Sequence, residues 1–380
     1  MVFERRHPGL RSYPANVNTP TVQQPTHTGP QPITGELEAA RRGAPRRQAI
    51  LLTGAGGEVG HGLIHALSES SETPIIAFDV RPVEEGLARR CHEVFTGDIR
   101  DPFALSAIMA KYEITEVYHL AALLSSTGER NPDLAHEVNT QGTMNLMRLC
   151  AQQGQATGRP VKFIYPSSIA VYGLPSEDEK RKAGAVREDQ YLTPITMYGV
   201  NKLCCEHLGR YYSDHYRLLE TGGGGAPIDF RCLRYPGLIS PHTAPSGGTS
   251  DYGPLMLHAA AKGEEAVCFV QEDARLPFML MADAVAATLA LAQAETLGQR
   301  IYNVASFAPS AGEIAEAITA EYPNFRVRYE INPSRAGIVA SWPADVDRST
   351  ASRDLGLPSG RAFEGVLAED LVPIVRKMYG

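Results

Sequence analysis

Over most of the chain, apolar residues gather in short runs separated by stretches with helical spacing. Residues 48–53 (QAILLT) form a compact apolar run, as expected of a strand buried on both faces. Leu63, Ile64 and Leu67 then recur at the spacing of one helix face. The alternation repeats. Strands are predicted at 74–79, 94–99, 116–122 and 161–168, each followed by helix-spaced apolar positions, and a further buried run ends near Tyr235. Repeated strand–helix units predict an α/β protein with a doubly wound parallel sheet. Ligands of such sheets bind at the carboxyl ends of the strands. Asp79, Asp98, Ala121 and Ser168 are all predicted to lie there.

The junction after the first run is the most specific local signal. Gly54-Ala55-Gly56-Gly57-Glu58-Val59-Gly60 stands between strand and helix, the context that a dinucleotide-binding loop requires. Gly54 permits a tight turn, Gly57 lets the backbone approach a pyrophosphate, and Gly60 allows close helix packing. Glu58 and Val59 open the helix whose N-terminus would face the anion. Asp79 ends the next strand, where an acid accepts from ribose hydroxyls and repels a 2′-phosphate, so the expected cofactor is NAD. Arg81 keeps NADP open, and Asp79 as a simple turn residue is the alternative. Asp98, followed by Ile99, would accept from the adenine amino group or else cap the helix that starts near Pro102. Leu120, Ala121 and Ala122 offer small, apolar surface at the end of the fourth strand.

Tyr198 and Lys202, in TMYGVNK, share a helix face at four-residue spacing. An ammonium near a phenol favours the phenolate. Ser167 and Ser168 close the fifth strand. A serine to orient a hydroxyl, a tyrosine to take its proton and a lysine to support the tyrosine make a complete alcohol-oxidising site. A plain surface pair on a helix is the alternative for Tyr198 and Lys202.

The chain has 380 residues, 43% hydrophobic and 21% charged, enough for one large domain with an added lobe. Its net charge of −7 argues against a nucleic-acid partner. No apolar run reaches the length of a membrane span. Cys91, Cys150, Cys204, Cys205, Cys232 and Cys268 lack zinc-ligand spacing, so no metal is expected and reduced thiols in the cytoplasm are. Residues 1–47 are rich in proline and arginine and poor in large apolar residues. They read as a disordered tail, with an organelle transit peptide as the alternative.

These motifs, in this order, resemble the extended short-chain dehydrogenases: Gly54/Gly57/Gly60, Asp79, Ser168 four residues before Tyr172, and Tyr198/Lys202. The resemblance implies a Rossmann fold over residues 48–240 and a smaller substrate-binding lobe, mainly over 241–380. Within that group, residues 120–129, 230–240, 247–252, 275–284 and 341–357 are similar to the short-chain type of L-threonine 3-dehydrogenase. The resemblance covers the chain from about Gln48 onward. It implies NAD-dependent oxidation of the 3-hydroxyl of L-threonine to 2-amino-3-oxobutanoate, with a nucleotide-sugar epimerase or dehydratase as the alternative.

The same resemblance implies substrate contacts from Ser125, Ser167, Ser168, Gly248, Thr249 and Trp342. It places Tyr235, Gly237 and Leu238 beside the nicotinamide, has Asn139 brace the active-site helix, and favours a homodimer. Thr249 as a helix cap, Trp342 as a packing residue, Asn139 as an ordinary polar helix-start residue and Pro236-Gly237 as a simple turn are the plainer alternatives. Residues 176–190 read as a charged inserted loop, and Gly222 to Gly225 as a second insertion.

Overall fold

The computed structural model describes residues 46–219, 225–243, 248–358 and 360–380. The 1–47 tail therefore lies outside the described residues except at its last two positions, as do Gly247 and most of the Gly222–Gly225 insertion. Among the described residues, seven strands form one sheet: β1 (Arg47–Thr53), β2 (Ile75–Asp79), β3 (Glu93–Thr96), β4 (Tyr112–His119), β5 (Val161–Ser168), β6 (Ile228–Tyr235) and β7 (Ile301–Asn303). Their order is β7-β6-β5-β4-β1-β2-β3, and every neighbouring pair is parallel. The order reverses between β1 and β4, which makes their carboxyl ends the crevice of a doubly wound sheet.

Burial follows the two-sided apolar pattern. The last five residues of β1 and all five of β2 are buried, since helices cover both faces. One face packs against α1 (Glu58–Ser70), through Leu63, Ile64 and Leu67. The other packs against α2 (Thr143–Thr157) and α3 (Met197–Arg210), around Phe163, Tyr165 and Phe230. A third apolar cluster is built largely from later residues, among them Tyr252, Phe278, Ile314, Trp342 and Val375.

Three differences from the sequence pattern have local causes. The third strand stops at Thr96, so Asp98 and Ile99 lie in the loop beyond it. The fourth stops at His119, so Leu120, Ala121 and Ala122 also leave the sheet. Residues 176–190 are more than a loop. Ser176 caps a helix over Glu177–Ala183 by accepting from the Glu179 amide at 3.2 Å, with three acids in the first turn and three bases in the last. Ala185–Val186 then pairs in parallel with Asp345–Val346. No helix among the described residues is long and apolar enough to cross a membrane.

Candidate active site

At one end of the crevice, the β1–α1 loop is shaped by close backbone contacts. Gly54 has φ +71°, and a Cβ there would stand 2.6 Å from the Ala121 amide nitrogen. Only a glycine lets the turn lie against the segment leaving β4. Gly57 is the residue before α1, and no side chain caps that helix. The first amides of α1, at Glu58, Val59 and Gly60, are therefore free of side-chain partners at the positive end of a 13-residue helix. Asp79 is buried, and its two oxygens accept from the Gly56 and Arg81 amides, each at 2.9 Å. The carboxylate is thereby aimed at the loop, with a lone pair left on each oxygen for a ribose hydroxyl. This cradle fits NAD.

Asp98 does not cap the helix at Pro102–Lys111; Asp101 does, accepting from the Phe103 amide at 2.8 Å. Asp98 instead holds the Arg100 guanidinium at 2.7 Å, which keeps its carboxyl below the usual range. Arg100 also reaches Glu137 at 2.8 Å. Ile99 is buried beneath Gly142, where a Cβ would come within 2.7 Å of its side chain. Leu120, Ala121 and Ala122 are half-buried, and the Leu120 amide donates to the Thr53 carbonyl at 3.0 Å.

A buried polar chain runs beneath this segment. The Thr143 hydroxyl donates to the Asn139 carbonyl at 2.5 Å, so it accepts from His119 Nε2 at 2.8 Å. That fixes the tautomer: Nδ1 accepts from Thr53 Oγ1 at 2.7 Å. Burial, and secondarily the Lys202 charge, pull the His119 pKa down to about 3, so the ring is neutral. The Asn139 side chain accepts from the Leu123 amide at 2.7 Å and donates to the Leu123 carbonyl at 2.9 Å. Its own carbonyl accepts from Cys205 Sγ on α3 at 3.2 Å. Asn139 thus ties α3 to the turn that leads to Ser125. The motif reading missed His119, whose only sequence signal is a polar residue closing an apolar strand.

Ser168, Tyr198 and Lys202 come together at the end of β5. Thr196 caps α3 by accepting from the Gly199 amide at 3.1 Å, and Glu129 accepts from the Met197 amide at 2.7 Å. The first turn of the helix is anchored at both points. A Cβ on Gly199 would lie 2.0 Å from the Ala170 carbonyl, so α3 sits hard against the turn after Ser168. The half-buried Tyr198 phenol lies near enough to the Ser168 side chain to feel it. Burial pushes the phenol up to about 12, and the Ser168 side chain opposes that shift. Lys202 is buried, and its Nζ donates to the Pro166 carbonyl at 2.6 Å. It lies 4.6 Å from the Tyr165 ring centre and 5.6 Å from that of Tyr198. Burial brings the Lys202 ammonium down to about 8. The lowering of the tyrosine pKa by Lys202 expected from sequence is not found: desolvation raises it, and the opposing influence is Ser168. Ser167 Oγ is buried with no hydrogen-bond partner among the described residues.

Two residues 124 positions apart meet across the crevice: Ser125 Oγ and Thr249 Oγ1 are 3.0 Å apart. Thr249 does not cap the following helix, which is preceded by Asp251 and has no side-chain cap. The Gly248 amide donates to Asp251 at 2.6 Å, and its carbonyl accepts from Arg335 at 2.6 Å. Tyr235 turns its hydroxyl inward to Thr288. The Gly237 amide donates to the Pro277 carbonyl at 3.1 Å, in a strand (Gly237–Ile239) paired with Phe278–Leu280, so this is more than a turn; Leu238 is half-buried. Trp342 is buried in the third apolar cluster. Among the described residues no group of three or more His, Cys, Asp or Glu is placed to hold a metal ion.

The glycine loop, the acid closing β2 and a Ser–Tyr–Lys set at the end of β5 define an NAD-dependent oxidoreductase of the extended short-chain type. Residues 50–305 match the model of the NAD dependent epimerase/dehydratase family, and the chain belongs to that family. The bovine (Bos taurus) "L-threonine 3-dehydrogenase, mitochondrial" is 34% identical over 313 residues, 82% of this chain and 78% of the relative. Among solved structures, a monomeric L-threonine 3-dehydrogenase from a metagenome superposes with a TM-score of 0.75 at 33% identity, covering 87% of this chain and 100% of that one. The GalE-like L-threonine dehydrogenase of Cupriavidus necator, in its holo form, gives 0.73 at 33% identity, covering 87% and 98%.

Proposed function

We propose that the chain oxidises the 3-hydroxyl of L-threonine with NAD, giving 2-amino-3-oxobutanoate and NADH. The observation that carries the chemistry is the placing of Ser168 beside the Tyr198 phenol, with the buried Lys202 ammonium 5.6 Å from the Tyr198 ring centre. Ser168 orients the substrate hydroxyl and Tyr198 takes its proton. Lys202 supplies the positive charge that lets Tyr198 act as a base. NAD, when bound, supplies the hydride acceptor. Positioned acid–base groups of this kind contribute about 10²–10⁴-fold to rate. Support for the substrate comes from the names of relatives that are 33–34% identical over more than four fifths of this chain. Ser125, Ser167, Gly248 and Thr249 would receive the amino-acid end, with Trp342 forming the apolar wall behind it. Glu58, Val59, Gly60, Asp79, Asp98, Ile99 and the 120–122 segment would hold the cofactor, with Tyr235, Gly237 and Leu238 beside its nicotinamide.

The epimerase reading would call for cations ready to meet a nucleotide diphosphate. Arg335, beside Thr249, instead holds the Gly248 carbonyl and lies over the Phe269 ring, 3.3 Å from its centre. The direct test is to supply NAD with L-threonine, or with a UDP-sugar, and to follow NADH. Threonine-dependent NADH supports the proposal. No net NADH, together with conversion of the sugar, would replace it with the epimerase reading.

We assign residues 48–240 to the NAD-binding domain and 241–380 mainly to a substrate-binding lobe. Residues 1–47 carry no site residue, and we assign them no part in the reaction. A cytoplasmic location and a homodimer built through α2 and α3 complete the proposal. The outward-facing Val200 on α3, 45% exposed, is consistent with such a contact. Light scattering would decide between this dimer and the monomeric state named for the metagenome protein.

A further inference from the structure

Outside the reacting groups, one buried charge joins the elements that carry them. The Arg234 guanidinium, on β6, makes two parallel hydrogen bonds to Glu206, at 2.8 Å to Oε1 and 2.6 Å to Oε2. Both side chains are only 1% exposed. Arg234 Nη1 also donates to the Tyr172 hydroxyl at 2.8 Å and to the Glu188 carbonyl at 2.7 Å. Tyr172 passes its own proton to Asn303 Oδ1 at 2.7 Å. The Glu188 side chain accepts from the Asn303 amide at 3.0 Å, so the inserted segment closes the ring of contacts.

Each partner lies a fixed short distance along the chain from a reacting residue. Glu206 is four residues beyond Lys202 and eight beyond Tyr198, along one face of α3. Tyr172 is four residues beyond Ser168, in the turn against which α3 packs. Arg234 pairs in register with Ser167 on the neighbouring strand, and Tyr235 follows it. A single planar fork therefore fixes α3, the turn after β5 and the end of β6 relative to one another. Burying such a pair is a weak route to stability, because desolvation offsets most of the Coulomb gain. Its use here is geometric. The Glu206 charge also acts on Lys202, favouring its protonated form.

We propose that Arg234 is a positioning residue for the reaction, holding Tyr198 and Lys202 in register with Ser168 through Glu206 and Tyr172 and neutralising the Glu206 charge beside Lys202. The proposal rests on reading Ser168, Tyr198 and Lys202 as the reacting set.

The test compares Arg234→Met, Arg234→Lys, Tyr172→Phe and the double variant Arg234→Met/Glu206→Met, with Tyr198→Phe in parallel. The readouts are kcat, KM for NAD and the pH dependence of NADH formation. A misplacement of about 1 Å costs about 10²-fold in rate, and kcat in Arg234→Met should fall by that order while KM for NAD changes little. Its unpaired Glu206 carboxylate should also move the rising pH limb upward. The double variant should return the limb to its wild-type position without restoring kcat. Arg234→Lys keeps the charge and loses the fork, so it should lower kcat with the limb unmoved. If Arg234→Met fails to fold, Tyr172→Phe reads the same contact: lower kcat, limb unmoved. Wild-type kcat and pH limb in folded Arg234 variants, or wild-type kcat in Tyr172→Phe, beside an inactive Tyr198→Phe, would overturn the positioning role alone. A fully active Tyr198→Phe would overturn the site reading, and this role with it.

Discussion

Lys202 directs its ammonium to the Pro166 carbonyl at 2.6 Å, two residues before Ser168 on the same strand. The lysine is thus anchored to the element that carries the serine while its charge lies below the tyrosine ring. Desolvation moves both groups toward their neutral forms. Burial brings Lys202 down to about 8 and pushes Tyr198 up to about 12. A protonated Lys202 at this position favours the phenolate that acts as base.

The pH profile follows from this. Oxidation should climb with pH as the Tyr198 phenol gives up its proton, with the Lys202 ammonium favouring the phenolate. Lys202→Met removes the charge that supports the phenolate. Its rising limb should move upward. Initial rates across pH, with NAD saturating, measure both limbs. An unmoved limb in Lys202→Met would contradict the coupling.

Cofactor choice turns on Asp79. The side chain fixes the Gly56 amide and would also meet the ribose, so Asp79→Ala removes a charged hydrogen bond and loosens the glycine loop. NAD binding should weaken by about 1.5–3 kcal/mol, the range for a hydrogen bond to a charged group. Discrimination against NADP should relax. Calorimetric titration with each dinucleotide checks both effects, and a wild type that already prefers NADP would refute the assignment.

Much of this site could be read along the chain because its signals are local. Gly54, Gly57, Gly60 and Asp79 sit at a strand–helix junction and at a strand end, where backbone geometry restricts the residue type. Ser168 and Tyr198/Lys202 lie at a strand end and on one helical turn. The Arg234–Glu206 pair, the Ser125–Thr249 contact and the His119 chain join residues 24 to 124 positions apart, and no periodicity encodes such partners. Asp98 and Asp101 show the same limit at short range. Both precede Pro102, and only the loop geometry decides that Asp101 is the cap while Asp98 faces Arg100.

Gly54→Ala tests the close approach of loop and β4. The added carbon would lie 2.6 Å from the Ala121 amide, at a positive φ. Backbone strain of this kind costs about 1–3 kcal/mol. A lower urea midpoint and weaker NAD binding should appear together. A variant with wild-type values for both would show that the turn relaxes freely.

Neutral His119 sets an acid limit on stability. In the unfolded chain a histidine takes up a proton near its ordinary value of about 6.5, while in the fold it resists protonation down to about 3. Its contribution is therefore complete above about 6.5 and is lost as pH falls toward about 3. The slope from this residue approaches about 1.4 kcal/mol per pH unit. Urea unfolding over that window should show a shallower acid loss in His119→Asn, although that variant starts less stable at neutral pH. Equal slopes in the two proteins would mean that His119 is not held neutral.

The most direct measurement is the initial rate of NADH formation from L-threonine and NAD by the wild-type protein and by Tyr198→Phe, assayed side by side with NAD affinity measured for each. The phenylalanine keeps the ring and removes only the hydroxyl beside Ser168. The wild type should form NADH with threonine, while Tyr198→Phe should bind NAD nearly as well and turn over about 10²–10⁴-fold more slowly. A Tyr198→Phe protein as active as the wild type, or a wild type that forms no NADH with threonine, would contradict the account.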